Sequence, residues 1–527
     1  MPIARSILAR LSFLLLVLAF GTAAHAQLPP VTFTVTIDPA ARNLPATGRL
    51  IVLLKKSDAN LPPEAEPLDG PFWDDPQPLY GIDITDIPPG TPIVIDDSST
   101  SFPREASSLL SGDYVAQARL DINRDSSAWR DQSGNMFSKP VTFTRDPKAP
   151  TNVDLVLSEV TRTTLPETDP RVDVITIESP SLTAFAGKTI RLRAAVVKPL
   201  DFDATRHYPA VYEVPGFGGT HLGAYGYARR TASDTADPAT KELARNSYWI
   251  VLDPESANGH TLFADSANNG PRGEALIREL IPEIEKRHNL INNPEARLLR
   301  GHSSGGWSTL WLALVYPNVF GRTWSTAPDP VDFRAFQNVD IYKDVSMYTD
   351  TAGEQRPSFR RNGKALMTIR QENAGEQVLG PNNSSAQQWD SWQAVWGPRD
   401  AKGHPAALYD PKTGNIDRGI AEQYAKYDIS RLLKADPSKY VPLFQNNIRL
   451  FVGDQDSFFL NLAVELLQKE LNTLAPAKPD QIGTIVILPG YDHGNIFQSP
   501  EVRAFPSEML GHLRSRNIIP QLKPEPR

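Results

Sequence analysis

The stretch RLLRGHSSGGWSTLWLALVYP, residues 297–317, decides how the rest of the chain is read. It runs from a short apolar segment through two adjacent serines set among glycines into a tryptophan-rich segment that stops at Pro317. A GxSxG pattern fits one frame, Gly301-His302-Ser303-Ser304-Gly305. The pattern works because the central serine sits on a strained strand-to-helix turn, where the residues two before and two after it must be small. If Ser304 were the nucleophile, His302 would fill one of those tight places, so Ser303 is the expected nucleophile. Residues 296–300 (ARLLR) supply the short strand before it. Residues 305–317 give a helix apolar on nearly every side, as expected of one buried beneath a central sheet.

A serine hydroxyl is a poor nucleophile at neutral pH and needs a neighbouring base, usually a histidine oriented by a carboxylate. In such sheets the order is Ser, then Asp or Glu, then His, each on a loop just after a strand. Residues 482–502, IGTIVILPGYDHGNIFQSPEV, present a strand at Ile485–Leu488, a glycine-containing loop with His493, and a helix capped by Ser499 with Pro500 at its first position. His493 is the expected base, and His512, inside the final helix, reads as structural. Residues 446–471, NNIRLFVGDQDSFFLNLAVELLQKEL, repeat the strand-loop-helix texture with two acids on the loop. Asp456 is the expected orienting acid, Asp454 a turn former, and Asp329, in STAPDPVDF after the preceding strand, the remaining alternative. For the oxyanion, VYEVPGFGGTH (211–221) is a glycine-rich loop after a strand. The expected amide donors are those of Phe217 and Ser304.

The chain around these loops is 527 residues long, which favours two domains. From Val31 to about Val160 every signal is strand and turn: VTFTVTI (31–37) alternates at period two, and RLIVLL, PIVI, DYVAQARLDI, KPVTFT and NVDLVL follow between Pro, Gly, Asp and Ser clusters. This predicts an immunoglobulin-like β-sandwich over 27–165. Strand and helix signals then alternate over 166–527, which predicts an α/β domain with a mostly parallel sheet and helices on both faces. An interval rich in Gln, Asn, Asp and Trp at about 332–444 interrupts that rhythm and reads as an insertion over the carboxyl edge of the sheet.

Residues 1–26 carry Arg5 and Arg10, an apolar run from Leu11 to Phe20, and Ala24-His25-Ala26. That is the pattern of a secretory signal peptide cut before Gln27, giving a secreted or periplasmic protein with no membrane span in its mature form. The leader holds two arginines and no acid, so its loss moves the net charge from −7 to −9. Such a surface does not suit nucleic acid or anionic membranes. There is no cysteine, hence no disulfide, thiolate metal site or cysteine nucleophile, and neither cofactor nor metal is expected. The loop DINRDSSAWRDQ (121–132) begins like a calcium site with Asp121, Asn123 and Asp125, but Ser126 and Gln132 stand where glycine and glutamate are demanded. It reads as a polar turn. Trp389, Trp392 and Trp396 fall at helical spacing and read as packing of the insertion, with a pocket wall as the alternative. Asn269, in ADSANNGPRG, reads as capping the next helix, with a place near the site as the alternative.

With YPAVYEVPGFGG (208–219), ADSANNGPRGEALIRELIPEIEKRHN (264–289), GHSSGGWSTLWLALVYPNVFG (301–321), LFVGDQD (450–456) and GYDHGNIF (490–497), the chain resembles the esterase D-like α/β-hydrolases over about residues 172–515. This is the "putative esterase" family, which includes enterochelin esterases and feruloyl or acetylxylan esterases. The resemblance implies an α/β-hydrolase fold and the triad Ser303, Asp456 and His493. The chain departs from the family in carrying Ser304 after the nucleophile, a long polar insertion, and the extra N-terminal β unit. The expected activity is cleavage of carboxylic esters through an acyl-enzyme, on a small-molecule or polysaccharide-linked ester, with a tilt toward carbohydrate-linked or natural-product esters. A serine peptidase of the same fold and a non-catalytic binding protein are the alternatives. Acyl and alcohol specificity and oligomeric state are not set by the sequence.

Overall fold

The computed structural model describes residues 28–475 and 484–521, so the expected leader at 1–26 lies outside the described residues. The N-terminal part is a sheet of nine strands: β1 (Val31–Ile37), β2 (Ala46–Lys56), β3 (Leu79–Ile87), β4 (Ile93–Ile95), β5 (Thr100–Phe102), β6 (Gly112–Asp121), β7 (Met136–Ser138), β8 (Val141–Arg145) and β9 (Thr151–Val160). In β1, Val31, Phe33, Val35 and Ile37 are buried and the residues between them half-buried, because successive side chains of a strand point to opposite faces.

The strand order β4-β1-β9-β7-β6-β2-β3-β5 puts four strands between β1 and β3. In a flat sheet that would separate them by roughly 24 Å at the usual ~4.8 Å spacing. Phe33 of β1 nevertheless stacks on Tyr80 of β3 with ring centroids 5.5 Å apart, so the sheet curls until distant strands face each other around one apolar core. The sequence reading expected two stacked sheets. Hydrogen bonding instead joins all nine strands in one sheet, eight along that path and β8 beside it on β6, because β9 pairs with both β1 and β7 and β6 holds β7 and β8 along its length.

The second sheet has eight strands: β10 (Val172–Glu178), β11 (Arg191–Val197), β12 (Ala210–Val214), β13 (Tyr248–Leu252), and then Arg297–His302, Arg322–Thr326, Ile448–Gly453 and Thr484–Leu488. The order is β10-β11-β13-β12 followed by the last four in chain order. From β13 onward the strands are parallel, while β11 runs against both of its neighbours. Along β12, Val211 enters one apolar cluster and Tyr212 and Val214 another, so both faces are covered and the fold is of the α/β class. Residues 272–287 form a broken helix, Arg272–Ala275, a π-helical turn Leu276–Leu280 and Ile281–Arg287. Pro282 has no amide hydrogen to donate, and the π turn lies directly before it.

Arg322–Thr326 and Ile448–Gly453 are adjacent in the sheet. The long connection between them makes a hairpin (Pro357–Arg361 with Lys364–Thr368) and several helices, among them Ile369–Leu379 and Gln388–Trp396. The helix Ile369–Leu379 is where the N-terminal sheet docks. Buried Arg49 of β2 donates Nε to the Val378 carbonyl at 2.8 Å and Nη2 to that of Gln377 at 3.3 Å, supplying partners for carbonyls the last helical turn leaves open. Ile51, Leu53, Leu79 and Phe102 pack on Val378 and Leu379. The loop at 121–132 is held as a turn, with the Asp121 carboxylate accepting from Asn135 Nδ2 at 2.6 Å.

Candidate active site

Ser303 ends the strand Arg297–His302 and precedes the helix Ser304–Val315, with φ 57° and ψ −126°. A non-glycine residue there is strained, and the neighbouring contacts show why the turn is so tight. A Cβ at Gly301 would lie 2.1 Å from the Gly305 carbonyl oxygen, and one at Gly305 would lie 2.0 Å from that of Val214. The helix behind Ser303 is buried on nearly every side, as its composition requires.

His493 follows the last strand and Asp456 the one before it. Their side chains meet, with His493 Nδ1 2.7 Å from Asp456 Oδ2. Asp456 is fully buried, and its Oδ1 accepts from the amides of Phe458 at 2.9 Å and Leu460 at 3.2 Å. Burial opposes a charge on the imidazole. The charge and hydrogen bond of Asp456, with Asp329 and Asp492 further off, outweigh it and hold the His493 pKa above the ordinary histidine range. Ser303 and His493 open onto one cavity of about 420 Å³. Among the described residues the two are not hydrogen-bonded to each other.

Asp454 accepts from Gly490 N at 2.7 Å, which ties its loop to the loop after the last strand rather than closing its own turn. Asp329 lines the cavity together with the carboxylates Glu372 and Glu376, and its Oδ2 accepts from Ser304 Oγ at 2.7 Å and from Trp392 Nε1 at 2.6 Å. Burial pushes its pKa up to about 6, partly offset by those two bonds. Of the three spaced tryptophans, Trp392 reaches the cavity, while Trp389 and Trp396 are buried in the apolar cluster beneath it. His512 Nε2 lies 3.0 Å from the Glu295 carbonyl, away from the cavity. Asn269 neither lines the cavity nor caps a helix; it accepts from Asn258 Nδ2 at 3.1 Å, and Pro271 stands at the helix start instead.

The loop after β12 passes directly over the elbow, since a Cβ at Gly216 would sit 3.2 Å from both the His302 carbonyl oxygen and Ser303 Cβ. Gly219 N bonds to Gly216 O at 3.0 Å with Gly218 at φ 75°, a turn that needs glycine at its third position. Among the described residues the amides of Phe217 and Ser304 donate to no protein acceptor. His260 supports this loop: its Nδ1 accepts from Leu262 N at 3.1 Å, which fixes the proton on Nε2, 3.0 Å from the Pro215 carbonyl. Burial depresses its pKa to about 4, so it stays neutral.

Three contributions were invisible in the sequence. Arg360 of the hairpin donates Nε to the Asp456 carbonyl at 2.9 Å and Nη2 to that of Asp454 at 3.0 Å, bracing the acid loop. His302, kept neutral by burial and by the neighbouring His493 and Arg300, packs its ring 4.5 Å from that of His493. The N-terminal unit lines the cavity with Pro71, Trp73, Pro76, Leu79 and Phe102. Trp73 packs edge-on against Phe458 at 5.9 Å, and Phe458 against the His493 ring at 4.9 Å. No sequence signal linked that unit to the site, because these contacts cross more than two hundred residues of chain.

The family described as "Putative esterase" matches residues 190–473, more than half of the 527 residues. Among solved structures, the chain is similar to a ferulic acid esterase, at 13% identity over 65% of this chain and 99% of that one, with a TM-score of 0.38. It is also similar to S-formylglutathione hydrolase from Agrobacterium tumefaciens, at 16% identity over 66% and 97% of the two chains, TM-score 0.37. A third is the fluorophosphonate-binding serine hydrolase FphF of Staphylococcus aureus, at 13% identity over 64% and 98%, TM-score 0.36. No curated protein matches the chain. The chain belongs to the "Putative esterase" family of α/β-hydrolases, enzymes that cleave carboxylic esters.

Proposed function

We propose that this esterase is an exported serine hydrolase working through an acyl-enzyme, with Ser303 as nucleophile, His493 as general base and acid, and Asp456 as the residue that orients the imidazole. The observation that carries the reading is the 2.7 Å contact between His493 Nδ1 and a buried Asp456 oxygen, on a cavity whose wall also holds the strained Ser303. Asp456 keeps the Nδ1 proton, which leaves Nε2 free to take the Ser303 hydroxyl proton as Oγ attacks the ester carbonyl. The unpaired amides of Phe217 and Ser304 donate to the oxyanion. Protonated His493 returns its proton to the departing alcohol, and water admitted to the same base clears the acyl group.

Substrates in this reading are carbohydrate-linked or natural-product esters, supported by the leader and by a cavity that mixes apolar side chains with several glutamines. The test is hydrolysis of 4-nitrophenyl butanoate beside a peptide 4-nitroanilide, with labelling by a fluorophosphonate. Ester turnover and labelling, both lost in Ser303→Ala, are expected. Amide turnover exceeding ester turnover would make the protein a peptidase, and absent labelling of folded protein would make it a binding protein.

A further inference from the structure

Gln337 stands at the first of the two central positions of a turn closed by Phe336 and Val339, which bond to each other from both sides. Its φ is 57°, in a place that turns of this kind give to glycine. A turn tip ordinarily sends a glutamine into water, yet Gln337 is 2% exposed and lies on the wall of the cavity that holds Ser303. Its Oε1 is buried without a hydrogen-bond partner, and among the described residues nothing accepts from its Nε2. The turn does not depend on this side chain, since Asn338 Nδ2 anchors it to the Pro357 carbonyl at 2.6 Å.

A polar side chain held in a disfavoured backbone conformation, buried and unpaired, persists where a ligand completes it. The same wall offers a second acceptor. Phe336 packs edge-on against Trp392 at 5.3 Å, Trp392 bonds one oxygen of Asp329, and among the described residues no donor reaches the other oxygen. The same cavity is lined by apolar side chains of the N-terminal unit, Pro71, Trp73, Leu79 and Phe102 among them.

Resting on the esterase reading above, we infer that Gln337 is a specificity-determining residue that binds a hydroxyl group on the substrate. Its carboxamide donates to the hydroxyl oxygen and accepts the hydroxyl proton, while the apolar wall takes the carbon skeleton. A carboxamide presents a donor and an acceptor side by side, which a hydroxyl satisfies and a methyl group does not. A site built to pair with a hydroxyl rejects the analogue lacking it, because its own polar atoms are then left unpaired.

Two matched pairs of esters separate the acyl and alcohol sides: 4-nitrophenyl 3-hydroxybutanoate against 4-nitrophenyl butanoate, and 2-hydroxyethyl acetate against propyl acetate. Wild-type protein is expected to prefer the hydroxylated member of one pair by about tenfold or more in kcat/KM. Gln337→Gly and Gln337→Met are expected to erase that preference. Gln337→Gly is expected to keep or raise Tm, since glycine adopts the left-handed conformation freely, and Gln337→Met keeps the side-chain bulk. No preference in either pair, a preference that survives both variants, or a Gln337→Gly protein that melts lower would each overturn the inference. Saturation-transfer NMR of Ser303→Ala with 2-hydroxyethyl and propyl acetate reads the alcohol-side preference without turnover. A wild type that hydrolyses none of the four esters refutes the esterase reading, while the NMR comparison still decides for or against the subsite on that side.

Discussion

His493 Nδ1 and Asp456 Oδ2 are 2.7 Å apart, and the carboxylate cannot turn away because its other oxygen is held by the amides of Phe458 and Leu460. Asp456→Asn keeps the shape and puts the imidazole in the wrong tautomer. We expect kcat for 4-nitrophenyl butanoate to fall by about four orders of magnitude while Tm changes little. Steady-state kinetics beside a thermal melt check this.

The acid limb of the rate profile reports the base. His493 must be neutral to accept the serine proton, and its pKa is held above the ordinary range, with Asp329 among the groups raising it. Asp329→Asn removes that negative charge, destabilises the imidazolium and lowers the pKa. The limb of kcat/KM against pH is expected to move toward lower pH, and a limb that stays in place would exclude electrostatic coupling between the two.

The same substitution has a stability consequence of defined sign. Asp329 has its folded pKa raised to about 6 by burial, so the native state binds the proton more tightly than the unfolded chain, and stability falls as pH rises from about 4 to 6. Above that window the wild type carries a buried charge that Asp329→Asn lacks. Tm of the variant is expected to exceed that of wild type by a few degrees at pH 8 and to match it near pH 4.

Steric room at the elbow makes a further prediction. Gly301→Ala and Gly305→Ala each push a methyl group into backbone at about 2 Å and are expected to yield little folded protein. Ser304→Ala leaves the amide donor in place and removes the 2.7 Å bond to Asp329 and the 3.4 Å bond from Gln388 Nε2. It is expected to retain most of kcat, as soluble expression and an ester assay will show.

Trp73 reaches the site from the N-terminal unit through Phe458. Trp73→Ala is expected to raise KM several-fold for esters with large acyl groups and little for acetate, which is too small to touch that wall. Equal losses on both would mean that the tryptophan acts on the position of His493 rather than on the substrate.

Arg49 joins the two units by bonding the end of the helix Ile369–Leu379. Burial is the main influence on its guanidinium, lowering the pKa against the pull of Asp83. Arg49→Ala strands the two carbonyls and is expected to cost about 2–4 kcal/mol. Denaturant unfolding followed by near-UV absorption measures it, with the helix Ile369–Leu379 becoming sensitive to protease.

Local pattern carried much of this protein on its face. Period-two alternation marked β1, alternating strand and helix signals marked the α/β part, and the glycines around Ser303 marked the elbow, because each of these constraints acts between residues a few positions apart. Residues that follow a strand and precede a helix are likewise local facts, and Ser303, Asp456 and His493 all stand at such places in the chain. Tertiary structure alone decided what surrounds them. The brace from Arg360, the carboxylate Asp329 held by Trp392, the strained Gln337 and the wall from Trp73 are contacts between segments remote in sequence. They depend on how a curled sheet, a parallel sheet and the long connection between Thr326 and Ile448 pack together, and packing between distant segments leaves no periodicity in the chain.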